Sequence, residues 1–587
     1  MPEVSCNLMD GWSGSILHID LSTWTYRLEH PATATYRAWI GGKGLAGLFL
    51  YPHIKRPWND PELPLIFMAG PLVGTASPTS GRMCIMSRSP LTGAVGDASV
   101  GGSLGTEVKR AGLDGILVTG QSARLCGIEI VDRQVTIRDA ESLRGLGTEA
   151  LRPRLKGKGG VACVGPAAEV GVLFASIMVD GSYAAGRGGL GLLFAAKNLK
   201  YLTVKGSGRV SVRDPRGLKK AREDVFRQVA ASPVLLGEHG IANYGTGALY
   251  DLMDSRQMMP TSNFRRTRFD RAAALNAAAF HRHYMPRRTG CKGCHILCKK
   301  VGRDGTHIPE FETMSHFSAL LENDSLEAVA RANALCNDLG MDTISAAATL
   351  ACYAEISGER LSGPRILVLL EDIGRGRGLG PELGQGSSRY AAARGRPELS
   401  MSVKGQELPA YDPRGAYGMA LGYATSTRGA CHLRAYPISH EILRKPVATD
   451  RLSFAGKARI IKIAEDLNAV VDSLTACKFV FFATGLEEYA RVYAAVTGVE
   501  TTAQDLLRTG ERIYYRERMM NALNGFASAE DDLPARFFAE AATSTGALSR
   551  EEFLATRAGY YRIRGLDPRG MPTREKAAEL GLVWEEQ

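Results

Sequence analysis

The sequence predicts an α+β chain, with a β-rich N-terminal domain followed by two mainly helical domains. Three observations carry this reading. Apolar and polar residues alternate through much of the first two hundred positions, glycine-rich loops separate the alternating runs, and beyond residue 207 the apolar period lengthens to that of a helix. A chain of 587 residues is too long for one core. The expected units are 1–207, 208–400 and 401–587.

In "SILHIDL", Leu17, Ile19 and Leu21 alternate with His18 and Asp20, the pattern of a half-buried strand. "CGIEIVDRQVTIRDA" alternates on both sides of Asp132-Arg133 and reads as a hairpin. "YLTVKGSGRVSV" closes the β-rich region. In "DPRGLKKAREDVFRQVAAS", Asp214 is placed to cap a helix and Pro215 to begin it, with Leu218, Ala221, Val225 and Val229 at helical spacing. "NDSLEAVARANALCNDLG" offers Asp324 and Glu327 as a capping box and Gly340 as terminator. The next helix starts at once in "MDTISAAATLACYAEISG", and "AEDLNAVVDSLTACKF" is helical too.

An apolar fraction of 45% and a charged fraction of 23% place the chain among soluble globular proteins. No apolar run approaches the length of a membrane span, and the opening "MPEVSCNLMDGW" lacks the features of a signal peptide. The net charge of +11 (72 basic minus 61 acidic residues) is dispersed rather than gathered in a tail. It favours an anionic cofactor or an acidic partner over nucleic acid. Eleven cysteines are an odd count in a large chain. Cys6, Cys84, Cys126, Cys163, Cys336, Cys352 and Cys431 stand alone and read as free thiols in a reducing cytoplasm.

Cys291, Cys294 and Cys298 form a C-x2-C-x3-C group in "GCKGCHILCKK". Zinc is the simpler reading, but a zinc site normally needs a second close pair. A [4Fe–4S] cluster with three local thiolates and one distant one fits better. The glycine loops "DASVGGSLG" and "YAAGRGGLG" can bring backbone N–H groups close to a ligand, although most such loops are simply tight turns.

Taken together, "GWSGSILHIDLS", "WIGGKGLAG", "AGPLVGTASPTSGRMCIMSRSPLTGAVGDASVGGSLGTEVKRAGLDGILVTGQS", "DGSYAAGRGGLGLLFAAKNLKYLTVKG", "CKGCHILCKK", "IPEFET", "NDLGMDTIS", "ELPAYDPRGAYGMALGYATSTRGACHLRAYPIS" and "DSLTACKF" resemble, in one order and almost end to end, the aldehyde:ferredoxin oxidoreductase family. The resemblance implies a tungsten (or molybdenum) bis-pyranopterin beside a [4Fe–4S] cluster, so that the β-rich domain is a pterin-binding one. The cluster ligands then fall on Cys291, Cys294, Cys298 and Cys477, the last of which reads locally as a buried helix cysteine. Ser99 to Gly102, including Gly101, and Ala184, Ala185, Gly186, Arg187 and Gly188 would line the pterins. Backbone carbonyls near Ser99 and Ala185 would help hold a Mg²⁺ between the phosphates. The family often has asparagine at the position of Ser99. Arg82 would lie between pterin and cluster, and Arg434 would join the cofactor-binding set.

Two segments correspond to the family pattern D-x-x-G-L-C/D that grips the pterin ends. "NDLGMD" has Asn337 in place of the first aspartate and keeps Asp342; "DSLTAC" keeps Asp472 and Cys477 but has Thr475 and Ala476 in place of Gly-Leu. Read alone, both are capped helix ends. Glu312 in "IPEFET" and His432 in "GACHLRAY" match an acid/base pair, and Tyr411 matches a substrate-orienting phenol; Glu310 competes with Glu312 for the first role. The bridging iron that some members hold by E-x-x-H is not expected, because Arg331 and Ala334 occupy those positions. A homodimer without that iron remains compatible.

The resemblance therefore implies oxidation of an aldehyde to a carboxylic acid, with ferredoxin or an iron–sulfur subunit as electron acceptor. The rivals are a member acting on another substrate, such as an acyl-CoA ring reductase, and an iron–sulfur or zinc protein that binds nucleic acid.

Overall fold

The computed structural model describes residues 9–542 and 546–584; Cys6 lies outside the described residues. The first six strands are β1 (Ile16–Asp20), β2 (Thr25–Glu29), β3 (Leu65–Met68), β4 (Met83–Arg88), β5 (Val95–Val100) and β6 (Gly115–Thr119). They form one sheet in the order β2-β1-β6-β3-β4-β5, with β1 and β6 parallel and the other pairs antiparallel. The expected alternation in β1 is present: Ile16, Leu17 and Ile19 are fully buried while His18 and Asp20 are partly exposed.

The next six strands are β7 (Cys126–Val131), β8 (Gln134–Asp139), β9 (Gly160–Cys163), β10 (Ile177–Val179), β11 (Tyr183–Ala185) and β12 (Leu199–Lys205). Their order, β8-β7-β12-β9-β10-β11, repeats the first sheet strand for strand, with β7 and β12 as the parallel pair. The expected hairpin is β7-β8, with Asp132 at φ 53 in its turn. In each sheet a glycine loop follows the fifth strand and leads into a short helix, Leu104–Arg110 or Leu190–Ala196, before the sixth.

The fifth strands, β5 and β11, lie against each other, and both glycine loops reach one cavity, through Gly101 and through Ala184 and Gly186. Asp180, just before β11, ties the halves together. Its Oδ2 accepts from the Ser103 N–H (2.5 Å) and hydroxyl (2.9 Å), and its Oδ1 accepts from Val161 N–H (2.9 Å). Gly102 is at φ 106, and a Cβ there would meet Asp180 Oδ2 at 2.6 Å. Only glycine fits both the angle and the space.

Beyond β12 the chain is mainly helical. Asp214 caps the helix Pro215–Ala230 as expected, accepting from the N–H groups of Arg216 and Gly217. The helix Leu326–Leu339 ends at Gly340 (φ 75) as expected, but its cap is Ser325, which accepts from Ala328 N–H. The expected Asp324–Glu327 box does not form. Asp324 lies one residue too early, and the N–H that needs a partner falls opposite the serine hydroxyl. The helices Lys457–Leu474 and Ala503–Ala522 pack together and against Gly42–Leu50 of the N-terminal region. No helix among the described residues is long and apolar enough to cross a membrane.

Buried ion pairs fix this packing. Arg564, fully buried, pairs with Glu465 (2.7 Å) and Asp466, and the Tyr514 and Tyr560 hydroxyls also donate to Glu465. Removing one partner of such a network leaves uncompensated buried charge, at a cost of about 3–5 kcal/mol. Arg564→Met should therefore lower the thermal unfolding midpoint by several degrees in a calorimetric scan, whereas Arg562→Met on the exposed side of the same helix should not.

Candidate active site

Helix Phe311–Phe317 begins directly after Glu310, which stands at its N-cap. The Glu310 carboxylate pairs with Lys299 (2.6 Å), whose charge holds it below the usual carboxylate range. Glu312, in the first turn, turns inward instead. Its Oε2 accepts from Ala410 N–H (2.8 Å), while its Oε1 is buried, has no hydrogen bond and lies 3.5 Å from His432 Nε2. Burial pushes the Glu312 carboxyl up to about 8. Burial, reinforced by the Arg187 and Arg428 charges, pushes His432 well below the usual imidazole value. A neutral carboxylic acid thus faces a neutral imidazole at pH 7: the acid can give up its proton a little above neutrality, and the imidazole stays uncharged and offers one N–H. Glu310 and Glu312 thus differ in environment: one is paired and charged, the other neutral, with one oxygen unpaired.

Tyr411 follows Ala410 and lies 5.6 Å, centroid to centroid, from His432, with its hydroxyl 3.2 Å from that of Tyr436. Phe311 packs on Tyr411 (5.2 Å), and Tyr436 stacks on Phe482 (5.5 Å). His316 lies one turn after Glu312; its ring nitrogens stand 2.9 Å from Glu312 O and 3.1 Å from Leu408 O. It thereby ties the helix to the segment carrying Ala410 and Tyr411. Sequence reading missed Tyr436, Lys299 and His316; the i, i+4 spacing of Glu312 and His316 was the one visible signal.

A cavity of about 290 Å³ joins Glu312, His432 and Tyr411 to Arg82, Gly101, Ala184, Gly186, Asn337, Asp342, Cys291 and Cys298. Arg82 is anchored by Ser99: its Nε donates to the serine Oγ (2.9 Å) and its Nη2 to the Ser99 carbonyl. A Cβ on Gly101 would meet Cys291 Sγ at 2.5 Å. Ala185 is buried in its pairing with Ile177, and the Gly188 carbonyl accepts from the Ser89 hydroxyl (2.7 Å). Arg187 donates to the Ala430 and Glu407 carbonyls and lies 3.4 Å from Asp342, which caps the helix Thr343–Ser357. Arg434 is not brought to the cavity: it sits in a buried network with Asp97, Glu517 and Lys43.

The distant cysteine lies near enough to the loop of three for Cys291 and Cys294 to act on it electrostatically. Cys477 follows the helix Lys457–Leu474, and its N–H donates to Thr79 O (3.0 Å). Burial pushes its thiol up to about 11, against the pull of the Arg82 charge and with contributions from Cys291 and Cys294. Thr475 adopts φ 54, the left-handed conformation that the family pattern reserves for glycine. A strain of about 1–2 kcal/mol is expected there, partly offset because the Thr475 hydroxyl accepts from Gly70 N–H (3.0 Å). The turn is kept, and Ala476 is buried with its N–H on Val471 O. Asp472 pairs with Lys478 through Oδ2 (2.7 Å) and leaves Oδ1 buried and without a partner. Arg331 and Ala334 lie on the exposed face of their helix and carry neither carboxylate nor imidazole.

The family model described as aldehyde ferredoxin oxidoreductase, N-terminal domain, matches residues 16–206, and that for domains 2 and 3 matches residues 220–582. The chain belongs to the aldehyde ferredoxin oxidoreductase family. It is 36% identical over 607 residues to the tungsten-containing aldehyde ferredoxin oxidoreductase of Pyrococcus furiosus, covering 98% of this chain and 100% of that one. The corresponding protein of Thermococcus kodakarensis is equally similar, at 36% over 607 residues and the same coverage. An aliphatic sulfonate oxidoreductase, WOR-like subunit, of Pyrococcus furiosus is 25% identical and covers 98% of this chain and 97% of that one. In fold, the chain is similar to the active-site complex BamBC of benzoyl coenzyme A reductase, solved with 1,5-dienoyl-CoA. The TM-score is 0.85 at 21% identity, with 98% of this chain and 97% of that one covered. The protein is an oxidoreductase of this family, and its tungsten-containing relatives imply a tungsten–pterin cofactor.

The site fits such a group. Glu312 Oε1, His432 Nδ1 and Asp472 Oδ1 are buried without hydrogen bonds, and glycines line the approach where side chains would block it. Gly101→Val should push Cys291 aside, intrude on the cavity and lower the tungsten bound per chain, read by metal analysis of anoxically purified protein. Gly47→Ala, whose added Cβ would meet nothing nearer than 3.8 Å, should leave it unchanged.

Proposed function

We propose that this enzyme oxidises an aldehyde to a carboxylic acid, RCHO + H₂O → RCOOH + 2H⁺ + 2e⁻, and passes the electrons singly through a [4Fe–4S] cluster to a ferredoxin or an iron–sulfur partner subunit. The observation that carries the reading is the Glu312–His432 pair, whose unpartnered oxygen lies 3.5 Å from the imidazole on a cavity that also reaches Cys291 and Cys298.

In this reading residues 1–207 and the glycine loops hold the pterins, with Mg²⁺ between the phosphates near the Ser99 and Ala185 carbonyls. Residues 208–400 supply Cys291, Cys294, Cys298 and Glu312, and residues 401–587 supply Tyr411, His432, Asp472 and Cys477. When bound, the tungsten–pterin group supplies the two-electron acceptor for the substrate carbon. Ionised Glu312 takes the proton released as water adds to the carbonyl carbon. Neutral His432 has one N–H, which donates to the carbonyl oxygen. Burial keeps the Tyr411 phenol protonated, so that its O–H is available to orient the substrate. The aromatic wall of Phe311, Tyr411 and Tyr436 limits access of bulk water. Among the described residues, no three His, Cys, Asp or Glu side chains converge on a point as a single-ion site requires. Cys291, Cys294, Cys298 and Cys477 would each give one thiolate to one iron of the cubane.

Aldehyde-dependent reduction of benzyl viologen by the anoxic, tungsten-loaded protein tests the activity; turnover of a sulfonate or a ring-reducible acyl-CoA with no aldehyde turnover would replace this substrate assignment. Glu312→Gln should lower kcat by about two to four orders of magnitude with tungsten content unchanged. Because burial raises the Glu312 carboxyl to about 8, the ionised base is the minor form at pH 7. The wild-type rate should rise about tenfold per pH unit below that value and level off above it, and the glutamine variant should lose this limb. Iron should amount to about four atoms per chain, with no further atom at Arg331 and Ala334. Cys477→Ala should lower the iron content or alter the EPR signal of the reduced cluster.

A further inference from the structure

The loop carrying Cys291, Cys294 and Cys298 has one exposed tip, Lys292-Gly293, while the three cysteines are half-buried behind it. Beside the tip runs a surface groove of about 300 Å³, walled by the segment 74–78, Ser80, Gly81, Thr106, Arg222, Phe226, Lys292 and Gly293. The cysteine loop forms part of its wall, and the Cys477 segment is hydrogen-bonded to Thr79, between the wall residues Pro78 and Ser80. Thr79 accepts the Cys477 N–H (3.0 Å), and Gly81 packs so closely on the cysteine loop that a Cβ would meet Lys292 O at 2.9 Å. His295, next to Cys294, packs its ring on Phe226 at 4.3 Å, and Arg222 covers Phe226 at 4.9 Å.

The charge of this groove has one sign. Its lining contains Arg222 and Lys292 and no carboxylate. Lys292 is 54% exposed and only loosely paired with Glu107 (3.4 Å). Lys219 stands one turn before Arg222 on the same stripe of the helix Pro215–Ala230, and both are exposed without a carboxylate partner among the described residues. The polar walls and the single apolar ring suit a transient, charge-steered encounter better than a permanent interface.

We propose that this groove is the docking site of a small acidic iron–sulfur electron carrier. The proposal rests on the cluster reading above. Each aldehyde oxidised yields two electrons, so two carrier molecules dock in turn, each reduced by one electron at its own cluster. Acidic side chains around the carrier's cluster would pair with Lys219, Arg222 and Lys292, and place the two clusters on either side of the cysteine loop.

The test uses the holoenzyme with an acidic ferredoxin carrying one [4Fe–4S] cluster, measuring Kd by calorimetry at low and high ionic strength beside viologen-linked turnover. Lys219→Glu/Arg222→Glu should weaken Kd about tenfold at low salt, with the difference fading as salt screens it, while viologen turnover and iron content stay at wild-type values. Arg459→Glu, an exposed charge reversal on another helix, should leave Kd unchanged. Equal Kd for the wild type and the double variant would overturn the proposal. So would an equal weakening by Arg459→Glu, which would make net charge the sole cause, or a wild-type dimer in sedimentation that the double variant dissolves, which would make the groove a contact between copies. Loss of all aldehyde turnover in the wild type, with the Kd difference intact, would sink the substrate reading and leave the docking site standing.

Discussion

Backbone must come close to the ligand-binding space from two sides, and the junction of the two six-stranded sheets makes this possible. β5 and β11 meet edge to edge, and Asp180 holds the loop after β5 to the start of β9 with three hydrogen bonds. A side chain on Gly101 or Gly102 would strike Cys291 or Asp180 at 2.5–2.6 Å. The repeated strand order places one glycine loop from each sheet at this junction, where both line one cavity. The helical remainder closes over it through Lys457–Leu474, which both packs on the N-terminal region and delivers Cys477.

Electrostatics then separates residues that look alike on paper. Glu310 and Glu312 are two positions apart, yet Lys299 keeps one ionised while burial keeps the other neutral. Arg82 and Arg434 are both buried or nearly so. Arg82 lines the cavity from its anchor on Ser99, and Arg434 is consumed by Asp97 and Glu517 beneath β5. A charge buried in a satisfied network holds the fold together, whereas a polar atom left without a partner beside a cavity is available to a ligand.

Departures from the family pattern show the same tolerance of means. Thr475 takes the left-handed turn that glycine would take more easily, and its hydroxyl satisfies Gly70 N–H in return. Asn337 still faces the cavity where an aspartate is usual. The cap of Leu326–Leu339 moved to Ser325 because capping depends on which oxygen meets the free N–H, a matter of one residue that spacing does not resolve.

Periodicity and punctuation in the sequence determined the β-rich start, the hairpin at Asp132, the helix after Asp214 and the stop at Gly340, because each depends on neighbours a few residues away. The order of motifs determined the family. What only the tertiary structure decided were relations across long separations: the approach of Cys477 to the loop of three, the pairing of Glu312 with His432, the diversion of Arg434 into a buried network, and the basic groove beside Lys292. Each depends on the distance between segments and on how much water remains between them, and neither quantity is local to the chain.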